Sequence, residues 1–170
     1  MKRALEALAK KVGAGGIVSV GFLENATYPE GTPVAQVAFW QEFGTTRFQA
    51  RPFFRPMIAA KSPGWGAAMA KVFKSTNKDT RQTLELMGTG IKDQLTSSIV
   101  NTPQPPLSEI TLMLRKMKDD DPQLVVTGRT VAEAAARVAR GERGASGTRA
   151  KPLIDTGLLQ RVPDYVVNVK

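Results

Sequence analysis

The sequence contains no cysteine and no histidine among its 170 residues. Without cysteine the chain has no disulfide, no thiolate nucleophile and no zinc–thiolate site, as befits a protein assembled in a reducing compartment. Without histidine it lacks the commonest general base near neutral pH and the commonest metal ligand. Catalysis would have to rest on carboxylates, Lys, Tyr or Ser. We therefore expect a protein that is not an enzyme and that uses no cofactor or metal.

Long apolar runs are absent as well. No stretch approaches the ~18 apolar residues that a membrane span requires. Near the N-terminus, Lys10 and Lys11 stand where a signal peptide needs an uninterrupted apolar region. We expect a soluble, unexported protein without membrane contact, and its length fits a single domain over residues 1–170.

Acidic residues are scarce relative to basic ones, so the chain carries a net charge of +9. This excess predicts a polyanionic neighbour, either DNA or an acidic protein surface. Five basic residues near a Gly-rich stretch are the candidate interaction residues: Arg137, Arg140, Arg143, Arg149 and Lys151. They could neutralise phosphates or simply form a solvated loop, and the sequence leaves both interpretations open. No base-reading motif is present.

The hydrophobic patterns predict an α+β fold, in which an antiparallel sheet packs against one long, possibly broken helix with short additional helices. Residues 17–22 and 165–169 alternate apolar and polar side chains, as strands do. A helix is predicted over residues 64–100, with an interruption near residues 75–77. Its second half carries an apolar stripe that suits packing on a sheet: Leu84, Met87, Ile91, Leu95 and Ile99. A shorter helix is predicted over residues 5–12.

Residues 101–150 are predicted to form an inserted Pro/Gly-rich arm with two short helices and a basic loop. Ser108 is placed to cap the first helix, and Thr130 with Glu133 has capping-box spacing for the second. The loop 141–150 has three glycines and no large apolar residue. We expect it to lack a fixed shape in the isolated protein.

The few aromatic residues gather in one region, mainly at Phe39, Trp40, Phe43, Phe48, Phe53 and Phe54. Residues 34–43 predict a short buried helix that ends at Gly44. Core packing, with arginines stacked on the rings, is the preferred interpretation, and a base-stacking platform is the alternative. Glu42 is predicted to bond the following turn or an arginine, rather than to act as a catalytic acid. Gly44 and Gly157 are predicted to adopt positive φ angles.

Three segments together resemble the phage virion-morphogenesis and tail-completion family, which includes neck proteins of Mu-like and lambda-like tailed phages. The first reads VAFWQEFGT, then ARPFFRP, and contains the structural motif residues Glu42, Gly44, Arg51, Pro52 and Phe53. The second is PPLS from Pro105, followed by Thr111 and Lys116. The third is KPLIDTGLL from Lys151, with motif residues Asp155 and Gly157.

The resemblance implies a small α+β protein that assembles as a homo-oligomeric ring where the phage head meets the tail. Its implied partners are connector or adaptor proteins and tail tube or tail terminator proteins, with nonspecific contact to packaged DNA. Its implied location is the neck or tail of the virion, assembled in the host cytoplasm. The family offers no catalytic residues to transfer. A basic nucleic-acid-binding accessory protein of phage morphogenesis is the alternative, and a carboxylate-based hydrolase is a distant third.

Overall fold

The structure, a computed structural model, describes residues 15–23, 26–46, 48–102 and 105–169. The helix predicted over residues 5–12 lies outside the described residues. In chain order the elements are strand β1 (Gly16–Phe22), helices α1 (Val34–Phe43), α2 (Phe54–Ser75), α3 (Thr80–Asn101), α4 (Glu109–Asp120) and α5 (Gly128–Ala139), a 3-10 helix (Gly147–Ala150), helix α6 (Leu158–Arg161) and strand β2 (Pro163–Val169). None of the described helices is long and apolar enough to cross a membrane.

The two predicted strands pair with each other in an antiparallel sheet, so the mixed helix and sheet class is confirmed. Val18 lies opposite Val167, and Val20 lies opposite Tyr165. These four side chains are half-buried on one face, whereas Ile17 points to solvent on the other, as the period of two requires. Pro163 is the first residue of β2, a position that tolerates its missing N–H.

The structure does not contain the single long helix. Two helices of 22 residues each, α2 and α3, pack against one another as a hairpin. The chain reverses at Asn77 and Lys78, whose φ angles of 52° and 62° are left-handed. Asp79 then caps α3 by accepting a hydrogen bond from the Gln82 backbone N–H at 2.9 Å. The break lies where the sequence predicted it, but the reversal needs a backbone conformation that an apolar pattern does not reveal.

Helix α3 lies across the sheet and contacts both strands, as its apolar stripe predicted. Leu84 and Met87 are each 6% exposed, whereas Ile91 is half-buried. Between them, Gly88 lets the helix approach the sheet closely, because a β-carbon there would lie 2.5 Å from the Tyr165 ring. Gly88 is therefore a point of close packing between α3 and the sheet.

Two separate hydrophobic cores hold the described chain together. The main core joins α1, α2, α3 and the segment around α6, and its buried members are Val34, Ala38, Phe53, Met57, Leu95, Ile99, Leu153 and Leu159. The arm core is smaller, with Met113, Met117 and Ala134 buried between α4 and α5. The arm, residues 101–102 and 105–150 in the part that the structure describes, thus has a core of its own.

The caps of the two arm helices are only partly as predicted. Ser108 caps α4 by accepting a hydrogen bond from the Thr111 N–H, as the sequence indicated. Helix α5 is capped by Thr127, whose hydroxyl accepts from the Thr130 N–H while the Thr130 hydroxyl accepts from the Thr127 N–H. The capping box predicted at Thr130 and Glu133 is therefore wrong by three residues. Thr130 is the N3 residue of the box and Thr127 is its N-cap.

The loop 141–150 follows a defined path along α4, so the prediction that it lacks a fixed shape is wrong. The Ala145 N–H donates to the Leu112 carbonyl at 2.8 Å, and Lys116 Nζ donates to the Arg143 carbonyl at 3.2 Å. Gly144 lies directly against the α4 backbone, where any β-carbon would clash with Leu112. Hydrogen bonds to the helix thus replace the apolar contacts that the loop's composition cannot supply.

Candidate functional site

The carboxylate of Glu42 organises the junction between α1 and α2. Only 4% of this residue is exposed. Its Oε2 accepts hydrogen bonds from the backbone N–H groups of Phe53 and Phe54 at 2.8 and 2.9 Å. Its Oε1 accepts from the Arg55 N–H at 3.0 Å and from Arg55 Nε at 2.9 Å. Since the first N–H groups of a helix lack intrahelical partners, Glu42 caps α2 from a neighbouring helix.

This bonding decides the charge of Glu42. Burial alone would raise its pKa, but the N–H groups of Phe54, Arg55 and Phe53 and the Arg55 guanidinium together lower the pKa below its ordinary 4.5. Glu42 is therefore ionised at neutral pH, and both of its oxygens are occupied. The predicted bonds of Glu42 to the following turn and to an arginine are confirmed, and its geometry is unsuited to a proton donor.

The loop between α1 and α2 folds tightly back on α1, which accounts for the glycine of the EFGT motif. Gly44 has a φ of 77°, as predicted, and a β-carbon there would lie 2.8 Å from the Ala50 backbone nitrogen. The Arg51 N–H donates to the Gln41 carbonyl at 2.6 Å. Arg51 Nε in turn donates to the Pro105 carbonyl at 3.0 Å and so attaches the start of the arm. Pro52 is half-buried at the end of this loop.

The prediction that α1 is a buried helix with its rings in the core is wrong for three of the aromatic residues. Phe39 is 59% exposed, Phe43 53% and Trp40 37%, whereas Phe53 is 1% exposed as expected. The buried stripe of α1 consists of Val34, Ala38 and Glu42. Seven of the ten residues of α1 are apolar and they occur on all sides of the helix, so the sequence pattern could not show which face would be covered.

The exposed rings border a shallow apolar groove between α1 and the start of α2. We call it the aromatic groove; its cavity of about 230 Å³ is lined chiefly by Phe22, Ala35, Phe39, Phe43, Phe54 and Arg55. The Phe39 and Phe43 ring centroids are 4.7 Å apart, and the Arg55 guanidinium lies 4.6 Å from the Phe43 centroid. Since Glu42 holds Arg55 in place, the rings and the cation form a preorganised surface.

Arg115 on α4 joins the arm to the segment before α6, a role that the sequence did not indicate. Its side chain is 10% exposed. Nη1 donates to the carbonyls of Arg149, Lys151 and Ile154 at 2.7, 2.9 and 2.9 Å. Burial lowers the pKa of Arg115, with Asp155 acting in the opposite direction, but the guanidinium stays charged. All these partners are distant in sequence, so no local pattern could identify them.

The Arg149 side chain is held by two acidic residues. Its Nη2 lies 2.6 Å from Asp119 Oδ1, and its Nη1 lies 3.2 Å from Asp155 Oδ1 and also donates to the Asp155 carbonyl. The hydrogen bond to Asp119 is the main reason why the pKa of Arg149 is raised. Gly157, just beyond, has a left-handed φ of 75°, as predicted, and leads into α6.

The other predicted interaction residues divide into two groups. Arg137 is paired with Glu133 at 2.6 Å, and Arg140 with Glu142 at 3.0 Å. For Arg143 and Lys151 the described residues provide no ion pair, and Arg143 is exposed. The five basic residues therefore do not form one free cationic patch, because most of their charge is already balanced by acids of the arm.

Two of the three segments that carry the family resemblance, the first and the third, line one cleft of about 440 Å³. The first segment contributes Val37 and Gln41, the third contributes Leu153 and Asp155, and Arg115 of α4 also lines the cleft. The cleft also contains Tyr28, whose pKa is raised by burial and by the nearby Glu30 and Asp155 carboxylates. Acids and bases are mixed in its wall, so the cleft does not select one sign of charge.

The described residues contain no group of three or more acidic side chains arranged to hold a metal ion. Comparison of the chain with known protein families, with curated proteins and with solved structures finds no match. The family resemblance therefore stays a prediction.

Proposed function

We propose that this protein is a structural component of a tailed phage virion, a ring-forming tail-completion or neck adaptor needed for tail assembly or head-to-tail joining. In this role it is assembled in the host cytoplasm and contacts connector or tail tube and terminator proteins. It acts by presenting fixed surfaces to its neighbours and not by catalysis.

The proposal rests on the contacts that the motif residues make within the chain. Glu42, Gly44 and Arg51 are engaged in tying helices and loops together, through the bonds to α2, the close approach to Ala50 and the bond to Pro105. Asp155 is engaged by Arg115 and Arg149. Motif residues engaged in this way by groups of their own chain serve architecture, which is what a subunit of a rigid assembly requires.

The exposed aromatic rings beside Glu42 give the same proposal its contact surface. Phe39 and Phe43 are large apolar side chains left more than half exposed on a helix whose other face is buried. Aromatic residues and Arg are enriched at protein–protein interfaces, and an apolar patch rimmed by polar groups is typical of such sites. A ring subunit needs surfaces of this kind toward its neighbours.

Mass photometry of the purified protein, repeated from nanomolar to micromolar concentration, tests the ring. We expect a closed oligomer of one discrete size. In the phage that encodes the chain, loss of the gene should yield free heads and free tails in electron micrographs. Joined infectious particles at the normal yield would contradict the proposed role.

A nucleic-acid-binding accessory role is the second candidate, and one feature favours it. The end of the α2–α3 hairpin presents four exposed basic side chains: Lys71, Lys74, Lys78 and Arg81. Retention on nonspecific DNA that falls steeply with salt, by a monomeric protein, would support this role over the ring. Changing Lys74 and Lys78 to Glu should then abolish retention, whereas changing Arg143 and Lys151 should have the smaller effect.

A further inference from the structure

The sheet has two strands in the described part of the chain, so each strand has one outer edge. Every residue of Gly16–Phe22 lies opposite a residue of Pro163–Val169, and no bulge interrupts the register. No other backbone hydrogen bond between described residues involves β1 or β2. Alternate N–H and C=O groups along each outer edge are therefore free to pair with a further strand.

The outer edge of β2 is better suited to pairing than that of β1. Residues 165–169 of β2 read YVVNV and contain no charge, proline or glycine. Natural edge strands are usually protected by charges, prolines or bulges. In β2 such protection is confined to Pro163 and Asp164 at the start of the strand. β1 instead contains Gly16 and Gly21, and glycine weakens a strand.

The two flanks of α3 show which edge a neighbouring molecule can reach. Lys92 lies 4.0 Å from Asp164 of β2, whereas Gln94 accepts a hydrogen bond from Trp65 of α2 at 2.9 Å. Residues two apart on a helix point to nearly opposite sides, so α2 lies on the flank of α3 away from β2. Asp93 lines a groove between α2 and α3 and belongs to that flank too. A strand backed by its own helix can therefore join beside β2, whereas beside β1 its helix would meet α2.

We propose that β2 pairs antiparallel with β2 of a second copy of this chain, centred on Val166, and so forms a four-stranded sheet. Such a two-fold contact uses the same surface of both copies. Val166, which is 42% exposed, then meets its own counterpart. Tyr165 faces Val167 of the second copy, and Asp164 faces Asn168, so no like charges are opposed. The inference does not rest on the proposed ring, because a two-fold contact alone cannot close one.

The helices behind the sheet fit this pairing. Because α3 contacts both strands, the two copies of α3 lie two strand spacings apart, ~9.6 Å. Helices pack at ~8–10 Å. Leu84 lies at one end of β2 and Lys92 at the other, so Thr89 lies near Val166 and the two-fold axis. Its small side chain allows close approach, and Glu85 of one helix is brought toward Lys92 of the other.

The charges beside β2 also permit two copies to meet. The chain carries a net charge of +9, so copies repel each other unless the contact surface is itself neutral. On this flank Arg81 and Glu85 lie 3.9 Å apart, and Lys92 and Asp164 lie 4.0 Å apart. Two cations are thus balanced by two acids. The Arg161 guanidinium is directed back toward the residue that precedes α6.

The absence of cysteine allows a symmetric cross-linking test in the full chain. Val166→Cys places the two thiols on directly opposite residues, whose Cα atoms are ~4.5–5.5 Å apart and within disulfide range. We expect mild oxidation to give mainly a covalent dimer on a denaturing gel. Ile17→Cys is the matched control, because Ile17 lies on the same side of the sheet and is more exposed, at 63%. Its two copies would be at least three strand spacings apart, ~14 Å, and should give only a trace of dimer.

A second pair of variants measures the contact without a cross-link. Lysine on an edge strand opposes pairing, and Val166→Lys would set two like charges opposite each other at the axis. We expect it to raise the dissociation constant of the dimer by roughly tenfold in light scattering. Ile17→Lys should leave that constant unchanged. Both positions are exposed, so both melting temperatures should stay close to that of the unmodified chain.

Light scattering of the unmodified chain separates this inference from the proposed function. A covalent dimer of Val166→Cys from a chain that forms no ring supports the pairing and contradicts the ring. A closed ring without this cross-link overturns the pairing and leaves the ring standing, and monomers without it overturn both. Equal products from Val166→Cys and Ile17→Cys, or a product from Ile17→Cys alone, would also overturn the pairing of β2.

Discussion

The body of the molecule and the arm are held together by different forces. In the body, α1, α2, α3 and the segment around α6 share a core of eight buried side chains, and one buried carboxylate fixes the angle between helices. In the arm, the core between α4 and α5 has only three buried residues. Arginines bonded to carbonyls and carboxylates supply the other contacts. Burial of apolar surface involves no charges that salt could screen, whereas exposed ion pairs are weakened by salt. The arm should therefore open before the body does.

Removing a side chain from the main core should have the largest effect. Leu95 is fully buried at the contact of α3 with α1 and α2. We expect Leu95→Ala to lower the free energy of unfolding by about 2–5 kcal/mol, because it creates a cavity. Leu86→Ala is the matched control on the same helix, since Leu86 is 50% exposed. Equal midpoints for both variants in urea unfolding would contradict the assignment of the core.

Weakening the hydrogen bonds between Glu42 and the start of α2 should have the next largest effect on stability. Glu42→Gln keeps the shape but loses the charge and one acceptor, so N–H groups at the start of α2 are left unsatisfied. We expect a loss of about 2 kcal/mol in thermal unfolding. Glu85→Gln is the control, because Glu85 makes only a 3.9 Å ion pair with Arg81. A Glu42 variant as stable as this control would show that these hydrogen bonds contribute nothing to the free energy of unfolding.

The same variant has a defined pH dependence. The folded pKa of Glu42 is below its ordinary value of 4.5, so its stabilisation is complete above that value and is lost as pH falls through the folded pKa. The difference in melting temperature between the unmodified chain and Glu42→Gln should be largest at neutral pH and should shrink as the pH is lowered below 4.5. A difference that stays constant over this range would mean that the carboxylate charge is not involved.

Arg115→Met should separate the arm from the body. Methionine keeps the apolar part of the side chain but cannot bond the carbonyls of Arg149, Lys151 and Ile154. We expect a local loss of about 1–3 kcal/mol, seen as faster hydrogen exchange in residues 149–156 while the amides of α3 stay protected. Lys118→Met at an exposed position of the same helix is the control. Uniformly faster exchange in both regions would show that arm and body unfold as one unit.

The smallest effect is expected for Arg149→Met. Its ion pairs with Asp119 and Asp155 are partly exposed, with side-chain exposures of 33% for Arg149 and about half for each acid. Such pairs contribute ~0.2–1 kcal/mol and are weakened by salt. The melting temperature should fall slightly in low salt and match that of the unmodified chain at about 1 M NaCl. A large effect at high salt would show that packing rather than charge is the role of Arg149.

Local sequence patterns predicted the secondary structure correctly where one face of a helix or strand is apolar and the other polar. Both strands, the stripe of α3 and the Ser108 cap followed from periodicity or from one residue's chemistry. The same reasoning failed at α1, because an apolar helix does not say which face will be covered. It also failed at the loop 141–150, because its stabilising partners are backbone groups of α4 and acids distant in sequence.

By itself, the sequence determined the secondary structure class, the two positive-φ glycines and the structural nature of Glu42, because each depends on neighbours within a turn or on one residue's chemistry. Only the tertiary structure decided that the long helix folds back, that Arg115 and Arg149 bind the arm to the segment before α6, and that Phe39 and Phe43 remain exposed. Those outcomes depend on which surfaces meet, and contacts between residues far apart along the chain leave no periodic signal in it.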